Sequence, residues 1–295
     1  MPFLALAVAV AAVSTSGPLI AYAAAPTLAI AFWRNALATG VLVPAVVVRG
    51  GWPHRRDLAL CGVSGLTLAV HFATWIPSAR LTSVATATAL GAIQPVWAGL
   101  IGLGLGRRLP RATWFGIALA VAGAAVATGA DVAVAGRAVA GDALALAGGM
   151  AAAAYVTVGE RLRPRVSTLG YTAIVYGICA VLLAAVCLVA GVPLAGYSHR
   201  DWLLIVAATV GPQFLGHSLV NYALHRVSAT VVSIVLLLEV PGAALIGWWF
   251  LDQLPRRAAV PGLALLLLGV AVAAYSSGRT RPTSPPLPGP EPPPV

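Results

Sequence analysis

Long apolar runs with almost no charge follow one another along this chain, broken only by short segments of Arg, Gly and Pro. Residues 3–22 and 168–190 carry no charged side chain at all. A run of about 20 apolar residues spans the hydrocarbon core of a bilayer as a helix, because only a helix satisfies every backbone group within the segment. Ten such runs can be read, at 3–22, 27–48, 59–78, 84–105, 113–129, 142–159, 168–190, 202–224, 228–251 and 260–275. Composition agrees: 60% of the 295 residues are hydrophobic and 9% are charged, against roughly 25% charged in a soluble domain. The 26 charges cannot coat a soluble enzyme of this size. A disordered chain and a disulfide scaffold are excluded on the same grounds. The expected fold is an all-α polytopic membrane protein, one compact bundle of ten transmembrane helices.

The net charge is +10, and all 18 basic residues are Arg. They cluster between the apolar runs, as topology signals do, and nucleic acid is not the expected partner. With the N-terminus inside, twelve arginines, among them Arg49, Arg55, Arg56, Arg107 and Arg108, fall on the inner side. Five fall outside: Arg80, Arg137, Arg200, Arg256 and Arg257, the last two against the trend. Arg34 lies within a run. The positive-inside rule therefore puts both termini in the cytoplasm of a multi-pass cell (inner) membrane protein. Residues 1–25 end in an A-x-A-like pattern but have no basic residue ahead of Arg34, so they read as a helix rather than a signal peptide. Cys61, Cys179 and Cys187 fit no metal spacing and read as buried thiols. The Pro-rich end, 279–295, reads as a disordered cytoplasmic tail.

The chain matches itself at an offset of 146 residues. His71 aligns with His217, Arg80 with Arg226 and Pro95 with Pro241; Gly116 aligns with Gly262 and Gly123 with Gly269. The expected halves are 1–130 and 131–278, each of five helices. An odd number per half reverses the direction of the second copy, so the halves form an inverted-topology repeat with a site where they meet near mid-membrane. That is the architecture of alternating-access carriers.

Residues 216–255, GHSLVNYALHRVSATVVSIVLLLEVPGAALIGWWFLDQLP, and their counterpart 71–110, HFATWIPSARLTSVATATALGAIQPVWAGLIGLGLGRRLP, resemble the paired halves of EamA-type carriers of the drug/metabolite transporter (DMT) superfamily. The resemblance covers nearly the whole chain except the tail. It implies ten helices, two five-helix repeats and movement of small metabolites, often export of amino acids or drugs. The family's Gly-Glu pair near the ends of the fourth and ninth helices is replaced here by Gly106-Arg107 and Asp252-Gln253.

Polar groups inside apolar runs are costly and face the bundle interior or water. Glu239 stands midway through the ninth run, beside Pro241; it either lines a cavity, binding an amine or exchanging a proton, or holds helices together. Thr67, His71 and Trp75 share one helical face, as do Gln213, His217 and Asn221. Each stripe either lines a wet pathway or joins helices. Arg34, next to Asn35, either meets a substrate carboxylate or pairs internally. Gln94 precedes a kinking proline whose freed carbonyls are available to a substrate. Glu239, His71, His217, Gln94, Gln213, Trp75, Asn221 and Arg34 are therefore the candidate substrate-binding residues. Ser14, Thr15 and Ser16 read as helix-packing groups, Trp33, Trp97 and Tyr176 as pocket walls or anchors, and Glu160 as a solvated inner end near Arg161 and Arg163.

Two other classes have partial signals or requirements to meet. Gly62, Val63, Ser64 and Gly65 match the G-x-S-G of rhomboid-like intramembrane serine proteases, which would need a Ser–His pair. A pore or channel would need a symmetric oligomer or a selectivity loop. The expected function is a secondary transporter, not an enzyme. It moves a small-molecule substrate, an amino acid or related compound, outward across the lipid bilayer by alternating access. No cofactor or metal is expected; protons are a possible coupling partner, and the state is monomer or homodimer.

Overall fold

The computed structural model describes residues 1–81, 84–91, 93–128, 136–251 and 259–278, and among them every regular element is helical. The first half comprises α1 (Pro2–Val13), α2 (Ser16–Tyr22), α3 (Thr27–Arg49), α4 (Arg55–Leu81), α5 (Val84–Gly91), α6 (Gln94–Gly104) and α7 (Arg111–Thr128). The second comprises α8 (Gly136–Leu162), α9 (Thr168–Val189), α10 (His199–Ala208), a π-helical segment (Thr209–Ser218), α11 (Leu219–Ala223), α12 (Ala229–Leu236), α13 (Glu239–Leu251) and α14 (Ala259–Gly278). Seven helices are long and apolar enough to cross a membrane, among the described residues. Asp252, Gln253, Arg256, Arg257, the 130/131 boundary and the tail at 279–295 lie outside the described residues.

Four of the runs read as single spans depart from a plain α-helix, three by breaking and one by widening, each for a local reason. The first breaks at Ser14 and Thr15, whose hydroxyls donate back to Val10 O and Ala12 O, both at 2.7 Å. Such back-bonding competes with the helical ladder and bends it. The fourth breaks ahead of Pro95 and the ninth ahead of Pro241. A proline removes a donor and its ring collides with the carbonyl four residues earlier, so the helix parts there. The eighth does not break but widens, becoming π-helical around Pro212. This widening upsets the four-residue stripe expected for Gln213, His217 and Asn221, because a π turn holds one residue more than an α turn.

Two small-residue contacts draw the bundle together. Along α7 and α14 the backbones nearly touch: a Cβ on Gly123 would lie 2.3 Å from Leu266 N, and one on Gly269 would lie 2.3 Å from Ala120 N. Apolar Ile117, Ala120, Ala124, Leu266, Val270 and Ala273 seal this contact. The larger core joins α3, α4, α8 and α9 around Leu68, Phe72, Tyr155, Tyr171 and Tyr176. The three cysteines are buried and free.

Loops are tied to the opposite half. The Asp201 carboxylate, in the first turn of α10, accepts the Ala24 and Ala25 N–H groups at 2.7 and 3.3 Å. Asp57, in the first turn of α4, pairs with Arg165 at 2.9 Å. An acidic side chain suits this end of a helix, where the dipole is positive. Trp33 Nε1 donates to Leu194 O at 2.8 Å, and Ser167 Oγ to Gly51 O at 2.8 Å. Gly170 is required here, since a Cβ on it would stand 2.0 Å from Gly51 O.

The C-terminal end of α8 departs from the expected solvated cluster. Glu160 is half-buried and pairs with Arg107 at 2.5 Å. Arg163 is buried, donating to Asn221 O at 2.8 Å and to Val166 O and Thr168 Oγ1. Loss of hydration lowers its pKa from the ordinary guanidinium value.

Candidate functional site

A cavity lies among α1 to α6, α8, the π segment and α11 to α13. Six of the eight expected binding residues line it: Arg34, His71, Trp75, Gln94, His217 and Glu239. Gln213 and Asn221 do not. Both are fully buried behind its wall, each bonded to a residue that does line it.

The π segment presents His217 toward α4. Its ring stands 6.1 Å from that of His71, its partner 146 positions earlier, and meets Phe72 edge-on at 5.1 Å. His71 Nδ1 lies 2.9 Å from Gly148 O, an acceptor, so this nitrogen carries a proton. Trp75 stacks beside His71 at 6.2 Å, its indole N–H donating to Ala87 O at 3.2 Å. These bonds hold the aromatic wall in one orientation.

The break before Pro95 brings Gln94 to the cavity, where its Nε2 donates to Ser233 Oγ of α12 at 3.0 Å. The matching break before Pro241 puts Glu239 at the start of α13, on the same cavity. Arg34 enters from α3 with its guanidinium 4.6 Å above the Phe72 ring. Its Nε donates to Gln213 Oε1 at 2.8 Å. Gln213 Nε2 in turn donates to Asn35 Oδ1 at 3.1 Å, and Asn35 Nδ2 to Ala31 O at 2.9 Å. Among the described residues neither Arg34 nor Glu239 forms an ion pair. The cavity thus holds one cationic and one acidic side chain, unneutralised by each other at contact distance, between aromatic walls. It can receive a small polar molecule, orient it by charge, and bury its apolar part against Phe72 and Trp75.

The lining residues outside the expected binders include the polar Ser16, Thr88, Tyr155 and Ser233. Ser16, read as a packing group, faces the cavity and lies 3.5 Å from Arg34 Nη1. Tyr155 lines the wall with its hydroxyl 2.8 Å from Asn221 Oδ1 and 2.6 Å from Nδ2. A lone phenol in an Ala- and Gly-rich helix was the available signal for it. Ser233 carried no signal. Trp33 and Tyr176 lie elsewhere, Trp33 against Trp202 and Tyr176 buried with its hydroxyl 3.1 Å from Ser218 Oγ. Trp97 also stands off the cavity. The G-x-S-G serine, Ser64, is buried with its hydroxyl 2.5 Å from the Tyr171 hydroxyl, and no Ser–His pair is formed there. No group of three potential metal ligands occurs among the described residues.

Apolar helices around a largely apolar cavity that holds a few ionisable side chains define a polytopic membrane protein. The comparisons place it further: the EamA-like transporter family matches residues 1–129 and again residues 139–275, and the chain belongs to that family. Its members are DMT-type transporters rather than enzymes. A solved structure described only as a crystal structure of a protein superposes with a TM-score of 0.78 at 21% identity, covering 94% of this chain and 98% of its own. This likeness speaks for the fold. No curated protein matches the chain.

Proposed function

We propose that the chain is a secondary transporter that exports small organic metabolites, amino acids or related compounds, by alternating access between two inverted five-helix halves, 1–130 and 131–278. The observation that carries this reading is the cavity walled by side chains of both halves, Arg34, His71 and Gln94 from one and His217 and Glu239 from the other. Ten spans follow when α1 with α2, α5 with α6, α10 through α11, and α12 with α13 each count as one crossing. The inverted arrangement is supported by the reciprocal contacts of α7 and α14. A Cβ on Gly123 would lie 2.7 Å from Gly262 O, and one on Gly269 would lie 2.7 Å from Gly116 O. Exchanging each position for its partner 146 residues away turns one contact into the other, as a two-fold axis would.

In this reading the helix breaks at Pro95 and Pro241 are where the walls bend as access alternates. Glu239 takes the ammonium of the cargo or exchanges a proton as access alternates. The arginine distribution sets both termini inside the cell membrane. The test is transport by the full chain in proteoliposomes. A carrier shows saturable uptake and accelerates counterflow of labelled amino acid against an unlabelled pool. Flux that rises linearly with concentration, without counterflow, would indicate a pore and overturn the proposal.

A further inference from the structure

Arg34 is 1% exposed, inside a helix that would cross the membrane, yet no carboxylate of the chain meets it among the described residues. A buried guanidinium left without a counter-charge is costly, and such groups mark sites where something else supplies the charge. Its surroundings are built rather than incidental. One N–H, on Nε, is committed to Gln213 Oε1 at 2.8 Å. The amide of Gln213 cannot turn over, because its Nε2 is engaged by Asn35 Oδ1, and Asn35 is itself fixed by its bond to Ala31 O. One face of the guanidinium is covered by Phe72 at 4.6 Å. What remains is the end formed by Nη1 and Nη2. Nη1 has only a long 3.5 Å contact with Ser16 Oγ, and Nη2 has no hydrogen-bond partner among the described residues. Arg34 is among the residues that line the cavity.

We infer that Arg34 is the docking point for a carboxylate of the transported molecule, received end-on by Nη1 and Nη2, and that Gln213 is the positioning residue that aims it. The inference deepens the transporter reading and rests on it. Two parallel N–H bonds from a planar fork match the two oxygens of a carboxylate, which a lysine cannot reproduce. Gln213 is suited to the task because its amide oxygen occupies Nε without neutralising the charge. The π segment that carries Gln213 also carries His217 on the cavity wall, so the dock on α3 is held from the other half of the bundle. A cargo with both charges would lie with its carboxylate toward α3 and its amine toward Glu239.

The test measures binding of three probes to the purified full chain: L-leucine, L-leucinamide, which lacks the carboxylate, and 4-methylpentanoate, which lacks the amine. Leucine and 4-methylpentanoate are expected to bind at least about tenfold more tightly than leucinamide, as loss of a charge-assisted bidentate contact implies. Arg34→Gln should abolish that preference, and Arg34→Lys should keep part of it. Gln213→Glu, which sets a carboxylate against Nε, should weaken both carboxylate probes about tenfold while leaving leucinamide unchanged; Gln213→Leu should act in the same sense but less. A residue that only supports the fold would weaken all three probes together. Equal binding of leucine and leucinamide, no binding of either carboxylate, or an Arg34→Gln variant that keeps the preference would overturn the inference. Counterflow of the same probes separates it from the reading beneath it. Carboxylate-selective binding without counterflow would sink the carrier and leave the dock, whereas counterflow of leucinamide without carboxylate preference would do the reverse.

Discussion

The α7–α14 contact and the central cavity are both built from positions 146 residues apart, yet only the first is symmetric in detail. Gly123 meets Leu266 as Gly269 meets Ala120, at the same 2.3 Å for a notional Cβ. At the cavity His71 faces His217, but beyond that pair the chemistry diverges. The counterpart of Trp75 is Asn221, that of Gln94 is Val240, and that of Glu239 is Ile93. Close backbone packing tolerates only small residues, so both copies keep them. On the proposed reading, a cavity that receives a molecule with two unlike ends has no use for two like walls, and the difference separates what holds the halves together from what would select the cargo.

The comparison can be broken at either region, and the packing contact should give the largest effect. Gly123→Val and Gly269→Val each press a branched side chain against backbone, which cannot give way as a flexible side chain would. Either should cost about 3 kcal/mol or more and reduce the yield of monodisperse protein, read by size exclusion and thermal unfolding. Glu239→Gln keeps size and removes the charge; counterflow of a cationic or zwitterionic cargo should fall at least about tenfold with little change in thermal stability. Wild-type counterflow with an unchanged pH profile would remove Glu239 from the site. Gln94→Val makes the two walls alike at that position and removes the bond to Ser233. Apparent affinity should fall about three- to tenfold, measured as the half-saturating cargo concentration. The smallest effect belongs outside both regions. Arg107→Ala breaks the pair with Glu160, in which Arg107 is 45% exposed, and should shift stability by less than about 1 kcal/mol in a thermal melt.

Much of the chamber was legible because charge and amide groups are rare in apolar runs and expensive to leave in lipid. That argument reaches Glu239, His71, His217, Arg34, Gln94 and Trp75 without knowledge of any contact. It does not distinguish a side chain at the cavity surface from one directly behind it. Gln213 and Asn221 satisfy the same rule by bonding to Arg34 and Tyr155. Prolines announced the kinks at Gln94 and Glu239, but not how far the helices separate there. The π geometry left no mark beyond Pro212, since a backbone that widens by one residue depends on what packs against it. Ser16 joins α2 to Arg34 of α3, as a packing group would, and also lines the cavity, a double position that a serine in a membrane helix does not announce. The burial of Arg163 depends on carbonyl and hydroxyl partners that sequence spacing does not reveal.

The ten-residue π segment, Thr209–Ser218, has a consequence for how such chains diversify. Deleting one residue within it would let the ladder close as an ordinary α-helix. Each residue in an α-helix turns by roughly 100°, so the side chains on one side of the deletion would be re-aimed together relative to those on the other. A single lost codon could thereby exchange which group looks into the chamber, with no substitution anywhere in its lining.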